Sequence, residues 1–455
     1  MVHAASHLSS RGARRVRVGV FALSWLAYAS YYIGRKQFAV SKASMASQYH
    51  LGTTALGNID TGYLVAYSLG MFASGVLCDR IGPRRLVGFG MMASAAAVAA
   101  FGFSNATTWF ALAFTANGFA QSTGWPGTIK AMTPWWSSSE RGKVMGWWST
   151  CYQVGGIAAT AIATALLVRW GWRMAFWVPA LWMTVVGAWV LLRLPEARQA
   201  NAHGVDAHHA NANASANASA TGRGATRAGA AGGAADRAPS PRHVLRQMEV
   251  WYLGFIYFGF KLIRYSLLFW LPFYLEKQLG YSTGQAGYSS ISFEAGGIVG
   301  TIGSGLLFDR LYHRRRHLIL VMTFGLGLAL VLYTKVAAWG IAVNFGAMAI
   351  VGFMLFGPDA LISGAMAQEL GGPSASGSTS GVINGIGSVG AIAQGTITAL
   401  VATHYGWDRV FHLFIGLAFA CSLALVPYAF GRRATPAPTG AATATAPREG
   451  ARAAP

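Results

Sequence analysis

The segment SGVLCDR at residues 74–80 recurs as SGLLFDR at residues 304–310, which lies 230 residues further along the chain. A second match joins VGGIA at residues 154–158 to VGAIA at residues 389–393, at a separation of 235 residues. Two matches at nearly the same separation are typical of an internal duplication. The sequence therefore predicts two halves of similar fold.

The composition indicates where these halves reside. Of the 455 residues, 54% are hydrophobic and only 11% are charged, and the mean hydropathy is +0.40. A soluble domain of this length is much less apolar. A helix needs about 20 apolar residues to cross the hydrocarbon core of a bilayer. We therefore predict an all-α membrane protein with twelve transmembrane helices, six in each half, near residues 17–40, 57–77, 86–103, 109–133, 143–168, 173–193, 249–276, 287–309, 317–334, 338–362, 377–402 and 408–430.

The same pattern divides the chain into five regions. A cytoplasmic N-terminal tail, residues 1–16, precedes the first half, residues 17–195. A flexible cytoplasmic linker, residues 196–248, joins it to the second half, residues 249–430, because Ala, Asn, Gly and Arg dominate its composition. The remaining residues, 431–455, are rich in Ala, Pro and Thr and are predicted to be a disordered cytoplasmic tail.

Metal and disulfide chemistry have little support in the sequence. The linker contains three histidines for which a metal site is a minor alternative, His203, His208 and His209. The three cysteines are far apart and lie in or beside apolar segments, Cys78, Cys151 and Cys421. We expect no metal, no other cofactor and no disulfide framework.

The formal net charge of +21 is concentrated in alternate connections between the spans. In a soluble protein this charge would favour nucleic-acid binding, but here the positive-inside rule explains it. We therefore expect a multi-pass protein of a bacterial inner (plasma) membrane, with both termini cytoplasmic, no cleavable signal peptide and no nucleic-acid partner. The opposite connections hold only scattered cations, namely Lys42, Arg169, Lys277, Lys335 and Arg409.

Two arginines interrupt apolar sequence at corresponding places in the two halves, Arg35 and Arg264. A charge at membrane depth is costly and usually marks a functional site. The planar guanidinium group donates paired hydrogen bonds that match the oxygens of a phosphate. This pair predicts a binding site for a dianion, and phosphate or a phosphate ester fits that description best.

Helical spacing adds candidates around both arginines. Residues three and seven positions before each arginine share its helix face. An alternative exists for Arg35: about seventeen apolar residues precede it, so Arg35 and Lys36 could instead be anchors at the membrane interface. The correspondence with Arg264 favours binding. With a tyrosine of the second span, the predicted lining residues are Tyr28, Tyr32, Tyr67, Tyr257 and Lys261.

The concentration of cations suggests how transport would be coupled. An empty site with uncompensated cations should resist the occluded state, and a bound anion removes that barrier, which predicts obligate exchange. Acidic residues within or at the ends of spans carry a rival prediction, because proton-coupled facilitators use such carboxylates. They are Asp60, Glu294 and Asp359. Asp359 could balance Lys261, couple a proton or contact a sugar, and the sequence leaves these roles open.

The loop after the second span, GVLCDRIGPRR at residues 75–85, resembles the signature loop of the major facilitator superfamily. The resemblance extends to the span count, the duplication and the linker, and it implies the major facilitator fold. Ion pairs between Asp79 and nearby arginines are expected to hold one conformation until the halves rock. The predicted gating residues are Asp79, Arg80, Arg84, Asp309 and Arg310.

Further motifs resemble the organophosphate:phosphate antiporter family, whose members carry glycerol 3-phosphate, hexose phosphates or phosphoglycerate. The matching segments include YYIGRKQF at 31–38, GWPG at 124–127, FWLP at 269–272 and FGP at 356–358. The resemblance implies that Arg35 and Arg264 bind phosphate. It also implies that Glu294 pairs with Arg264 or with a lysine when no ligand is bound.

The chain departs from this family pattern at several positions. Tyr152 replaces a histidine of the fifth span, and Ser149 and Gln153 replace asparagines. Met71 replaces a lysine that is common in the second span, and Lys261 is a compensating gain. Tyr152 is predicted to line the site without being able to sense substrate protonation as a histidine would. The identity of the organic group therefore stays open.

The predicted function is exchange of a sugar phosphate or glycerol 3-phosphate for inorganic phosphate by a monomeric transporter. The alternatives are a proton-coupled symporter of another organic anion and a transporter-like sensor of sugar phosphates. An enzyme is not expected, because the sequence contains no nucleophile elbow, metal cluster or phosphate-cradling P-loop.

Overall fold

Every regular element in the described part of the chain is helical. The computed structural model describes residues 2–136, 144–145, 147–195, 247–311 and 315–430. Nearly all of the predicted linker and the whole predicted C-terminal tail therefore lie outside the described residues. The first half contains α1 (Val2–Tyr49), α2 (Thr53–Ile81), α3 (Pro83–Phe103), α4 (Thr107–Gln121), α5 (Gly124–Met132), α6 (Thr150–Trp170) and α7 (Met174–Arg193). The second half contains α8 (Met248–Lys277), α9 (Thr283–Arg310), α10 (Arg315–Val336), α11 (Ile341–Ala360), α12 (Ala367–Tyr405) and α13 (Trp407–Phe430).

The predicted fourth span is divided between two helices, α4 and α5. The hydroxyl of Ser122 donates to the carbonyl of Phe119 at 2.6 Å, and that of Thr123 donates to the carbonyl of Ala120 at 2.7 Å. Such side-chain bonds compete with the helical ladder, which explains the break at these two residues. Ten helices of the described chain are long and apolar enough to cross a membrane on their own. Helix α9, with 28 residues, is an eleventh span, and α4 and α5 together form the twelfth, so the predicted architecture of twelve spans is confirmed.

The chain reverses direction between α11 and α12. A π-helical segment, Leu361–Met366, follows α11 directly. The hydroxyl of Ser380 in α12 nevertheless donates to the carbonyl of Ser363 at 2.8 Å. Seventeen residues of straight helix would separate these two groups by about 25 Å. The two spans therefore lie antiparallel, as the prediction of separate spans requires.

The duplication seen in the sequence is repeated in the helix packing. A Cβ atom added to Gly118 of α4 would lie 2.2 Å from the carbonyl oxygen of Tyr63 in α2. In the second half, a Cβ atom added to Gly352 of α11 would lie 2.0 Å from the carbonyl oxygen of Phe293 in α9. Both contacts require glycine, because only glycine lets the two helix backbones approach so closely. The halves are therefore built by the same packing rule.

The two halves meet along α1 and α8, α2 and α12, and α6 and α9. We call the side of the bundle where α1 begins and α13 ends the terminal face, and the opposite side the far face. Hydrogen bonds across the interface cluster toward the far face, where α2 begins and α12 ends. They join Thr53 to Thr403, Thr61 to Thr396 and Ser47 to Lys277. The halves are thus closed against each other at the far face.

A glycine-to-alanine change should test this closure. A Cβ atom at Gly57 would lie 2.4 Å from the carbonyl oxygen of Gly395 and 2.6 Å from the Cβ of Ala399. Overpacking of this kind costs about 1–3 kcal/mol. Since about 1.4 kcal/mol changes a population tenfold, Gly57→Ala should open the far face at least several-fold more often.

The measurement is the rate at which an impermeant maleimide, added on the far side, labels a cysteine placed at Thr61. Gly416→Ala is the matched control, because no atom lies within 4 Å of the position its Cβ would take. Equal labelling rates in the two variants would contradict the proposed closure.

Candidate functional site

Arg35 lies inside the bundle on α1 and is 6% exposed. Its Nε donates to Oε1 of Gln121 at 3.1 Å, and the hydroxyl of Tyr63 donates to the same oxygen at 2.9 Å. The rings of Tyr32 and Tyr67 lie 4.8 Å and 4.9 Å from its Cζ. No residue within the described ranges forms an ion pair with Arg35. A neutral amide and aromatic rings therefore position a buried cation without neutralising it, and they leave its terminal nitrogens for an anion.

The alternative of an interfacial anchor at Arg35 and Lys36 is wrong. Helix α1 continues 14 residues beyond Arg35 to Tyr49, which at about 1.5 Å per residue is roughly 21 Å of further helix. Lys36 is also buried, and its Nζ lies 3.3 Å from Oε2 of Glu294 on α9. Of the two partners expected for Glu294, the structure selects a lysine, and this ion pair joins the two halves.

Arg264 occupies the corresponding place on α8 but has a different partner. Its Nη1 donates to Oδ2 of Asp359 on α11 at 2.7 Å. The ring of Phe356, one turn earlier on α11, lies 4.3 Å from the guanidinium carbon. The direct ion pair of Asp359 is therefore with Arg264, and Asp359 also interacts electrostatically with Lys261, one of the three roles that the sequence left open.

Lys261 lies between two tyrosines of its own helix. Its Nζ is 5.2 Å from the ring centre of Tyr257 and 5.4 Å from that of Tyr265. Tyr265 was not among the sequence-predicted residues, although it corresponds through the repeat to Lys36. In α1 a tyrosine precedes the arginine and a lysine follows it, whereas in α8 the lysine comes first and the tyrosine second. Each arginine thus has one lysine and one tyrosine beside it, in opposite order.

The remaining predicted tyrosines differ in how close they come to the charges. The ring of Tyr28 packs 5.4 Å from that of Trp125. In the described chain it packs against other aromatic rings and does not lie over a guanidinium group. Tyr152, at the family's histidine position, interacts electrostatically with both Arg264 and Asp359. Since Tyr152 belongs to the first half and these two residues belong to the second, the site is assembled from both halves.

The predicted gating pairs are corrected in part. Among the described residues, Asp79 pairs with Lys130 of α5 and not with an arginine, and the two side chains are 75% and 41% exposed. Arg84 donates to the backbone carbonyl of Leu191 at the end of α7. Arg80 and Arg310 are exposed, and the side chain of Asp309 lies outside the described residues. These contacts hold the helices of the first half together at the terminal face.

A third buried ion pair was not predicted from the sequence. Lys42, which the sequence suggested to be a cation of an outer connection, is fully buried in α1 and pairs with Asp60 of α2. Its Nζ also donates to the carbonyl oxygen of Phe269 in α8 at 3.0 Å and lies 3.9 Å from the ring centre of Trp270. The available signal was Asp60 itself, because an acid in an apolar span requires a partner.

The central site has an excess of positive charge. It contains four basic side chains, Arg35, Lys36, Lys261 and Arg264, and two carboxylates, those of Glu294 and Asp359. Lys36 interacts electrostatically with both arginines, so the groups belong to one cluster. Four cations against two carboxylates leave a formal charge of +2. A dianion would neutralise the site.

A duplicated twelve-span bundle with a charged site between its halves defines the class of secondary transporters. A solved structure of a bacterial homolog to the human lysosomal transporter Spinster, inward-facing and unoccupied, superimposes with a TM-score of 0.69. It covers 91% of this chain and 95% of its own chain at 14% identity, so it supports the fold alone. The family model of the Major Facilitator Superfamily matches residues 24–395.

Curated relatives narrow the family further. Sugar phosphate exchanger 3 of Gallus gallus is 30% identical over 90% of this chain and 91% of its own length. Putative glycerol-3-phosphate transporter 3 of Arabidopsis thaliana is 30% identical over 89% and 85%. The probable hexose phosphate transport protein of Chlamydia trachomatis is 27% identical over 90% of both chains. The chain belongs to the Major Facilitator Superfamily and, within it, to the organophosphate:phosphate antiporter family that its motifs resemble.

The buried Lys42–Asp60 pair yields a prediction about stability. Removing one partner leaves an uncompensated buried charge, so Lys42→Met and Asp60→Leu should each destabilise the protein by about 3–5 kcal/mol. The double variant removes both charges and should recover most of the loss. Thermal unfolding of the purified protein in detergent ranks the stabilities of the two single variants and the double variant.

The exposed Asp79–Lys130 pair provides the control. Asp79→Asn should change stability by only about 0–1 kcal/mol, because solvent screens an exposed pair. If the loss of stability in the Lys42/Asp60 double variant equals the sum of the losses in the two single variants, the two charges do not compensate each other.

Proposed function

We propose that this protein exchanges a phosphorylated small molecule, a sugar phosphate or glycerol 3-phosphate, for inorganic phosphate by alternating access. The observation that carries the proposal is Arg35, a buried guanidinium group that is held by Gln121 and has no acidic partner in the described chain. The functions by which the curated relatives are named, a sugar phosphate exchanger and transporters of glycerol 3-phosphate and hexose phosphate, support the same substrate class.

Binding begins at the first half and ends by engaging the second. The terminal nitrogens of Arg35 take two phosphate oxygens in the fork geometry that guanidinium favours. Arg264 then approaches the same anion from α8, while Lys36 and Glu294 already connect the halves across the site. Because Arg35 and Arg264 belong to different halves, one anion between them favours closure around the ligand.

The charge excess explains why the carrier should exchange rather than leak. Closing the halves around an empty site would bury a net charge of two, and burial of uncompensated charge costs several kcal/mol. A bound dianion removes most of that cost, so the rocking transition proceeds only with a ligand. Release on the other side then requires the far-face contacts, including Thr61–Thr396, to separate.

Proton-coupled symport is the second candidate, because three acids are buried in the membrane. Each one already has a cationic partner: Asp60 pairs with Lys42, Glu294 with Lys36, and Asp359 with Arg264. A proton bound by any of these carboxylates would leave its lysine or arginine partner as an uncompensated buried charge, which disfavours a proton carrier at these positions. Exchange therefore accounts for the site better than proton coupling.

The proposal includes an orientation and an assembly state. The excess of basic residues in the connections at the terminal face places that face in the cytoplasm of a plasma membrane, such as a bacterial inner membrane. One chain supplies both halves of the site, so the transporter works as a monomer.

Counterflow distinguishes exchange from the alternatives. Proteoliposomes loaded with labelled phosphate should release it rapidly when phosphate, glycerol 3-phosphate or glucose 6-phosphate is present outside, and slowly when the outside is empty. A symporter would depend on the proton gradient instead, and a sensor would bind without releasing label. Equal efflux with and without an external substrate would overturn the exchange mechanism.

Substitution of the arginines tests the fork geometry. Arg35→Lys and Arg264→Lys keep the charge but lose one of two paired hydrogen bonds, and a charge-assisted bond contributes about 1.5–3 kcal/mol. Each variant should therefore lose roughly 10- to 100-fold in apparent phosphate affinity, at about 1.4 kcal/mol per tenfold. Arg409→Lys, an exposed position at the far face, is the control. Full exchange in both site variants would exclude bidentate recognition.

A further inference from the structure

The ion pair between Arg264 and Asp359 is only half satisfied. Oδ2 of Asp359 accepts from Nη1 of Arg264 at 2.7 Å, but Oδ1 is buried and has no hydrogen-bond partner in the described chain. The side chain is 8% exposed, so the free oxygen has little access to bulk water. A buried acceptor without a donor is unfavourable. A hydroxyl of a bound ligand can supply the missing donor.

A carboxylate is an unexpected group beside an anion site. Ionised Asp359 can only accept hydrogen bonds, and it repels a negatively charged oxygen. It can therefore contact the ligand favourably at one kind of group, a hydroxyl that donates to Oδ1. Hydrogen phosphate carries such a hydroxyl on phosphorus, and the esters of polyols and sugars carry hydroxyls on carbon. Sulfate carries none.

We propose that Asp359 determines specificity by accepting a hydrogen bond from a hydroxyl of the ligand, so that the site selects tetrahedral dianions with a hydroxyl and excludes those without one. This inference rests on the proposed function, because it assigns the ligand class of the same site. It also explains how one site serves both exchange partners. Inorganic phosphate and a hydroxylated ester differ in size, but both present oxyanion oxygens on one side and a hydroxyl on the other.

The surroundings of the two arginines support separate positions for the oxyanion oxygens and for the hydroxyl of the ligand. Arg35 is held by the neutral amide of Gln121, whereas Arg264 is held by a carboxylate. The oxyanion oxygens are therefore accommodated best toward Arg35, and the hydroxyl toward Asp359. Nε of Arg264 is also buried and has no hydrogen-bond partner among the described residues, so it can donate to a ligand oxygen next to that hydroxyl.

The position of Asp359 is fixed by its own helix. Phe356 packs on the guanidinium group at 4.3 Å, and the hydroxyl of Ser363 donates to the backbone carbonyl of Asp359 at 2.8 Å. Two cations interact electrostatically with Asp359, namely Arg264 and Lys261. The hydroxyl groups of three tyrosines do so as well, namely Tyr152, Tyr257 and Tyr265. The carboxylate is thus kept at the site by positive neighbours while one oxygen stays free for the ligand.

The first experiment uses the unaltered protein and a series of anions. Work at about pH 8 keeps phosphate esters, whose second pKa is about 6, as dianions. Arsenate and glycerol 3-phosphate carry a hydroxyl and should compete with labelled phosphate. Sulfate and methyl phosphate lack one and should compete about 10- to 100-fold more weakly, the penalty of an unpaired buried group. Equal competition by all four anions would overturn the inference.

The second experiment changes the acceptor. The amide of Asp359→Asn can donate a hydrogen bond, so sulfate and methyl phosphate should bind more tightly. The ratio of the affinity for arsenate to the affinity for either anion should fall toward one. Glu294→Gln makes the same change of charge within the same site and should retain the discrimination. A variant of Asp359 that still rejects sulfate as strongly as the unaltered protein would refute the assignment.

Binding is measured separately from transport, so the proposed exchange function and the proposed role of Asp359 can be rejected independently. The readout is thermal stabilisation of the purified full-length protein by each anion at equal ionic strength, and it does not need exchange activity. Phosphate exchange without discrimination would retain the proposed function and reject the role of Asp359. Selective stabilisation by hydroxylated anions without exchange would reject the transport mechanism and retain that role.

Discussion

The compensation of buried positive charge is the constraint on which the centre of this structure depends. Three of the cations there have partners of different kinds. Lys36 has a carboxylate from the opposite half, at 3.3 Å. Arg264 has a carboxylate from its own half. Arg35 has an amide and aromatic rings, which stabilise a cation far less than a carboxylate does. Within the described chain, Arg35 and Lys261 are the two site cations without an ion pair, so the excess charge of +2 lies on them.

Duplication provides a symmetric scaffold, and the site departs from that symmetry. Close helix contacts at Gly118 and Gly352 repeat between the halves because backbone packing tolerates few alternatives. The side chains around the arginines are not so constrained. Gln121 holds one arginine and Asp359 holds the other, so a ligand meets two chemically different ends. Such a difference is useful for a molecule that is itself charged at one end and hydroxylated at the other.

Sequence alone predicted the features that depend on local composition or on the repeat. Apolar segments of sufficient length predicted the spans, and the repeat related Arg35 to Arg264. The partners of these residues depend on how helices distant in sequence are rotated against each other. The sequence therefore could not identify Gln121 as the partner of Arg35, or Lys36 as the partner of Glu294. Lys42 was misplaced because the apolar run ends near it while helix α1 continues to Tyr49. Matching each acid within a span to a nearby cation would have connected Lys42 to Asp60.

The far-face contacts are of a kind that can separate at low cost. Lys42 and Asp60 both belong to the first half, so their ion pair persists when the halves move apart. Of the two hydrogen bonds that Lys42 donates in the described chain, the one to the carbonyl of Phe269 crosses the interface. Losing a hydrogen bond of this type costs about 1–3 kcal/mol, whereas separating a buried ion pair costs about 3–5 kcal/mol. Because this ion pair lies within one half, separation of the halves at the far face would leave no unpaired charge at Lys42 or Asp60.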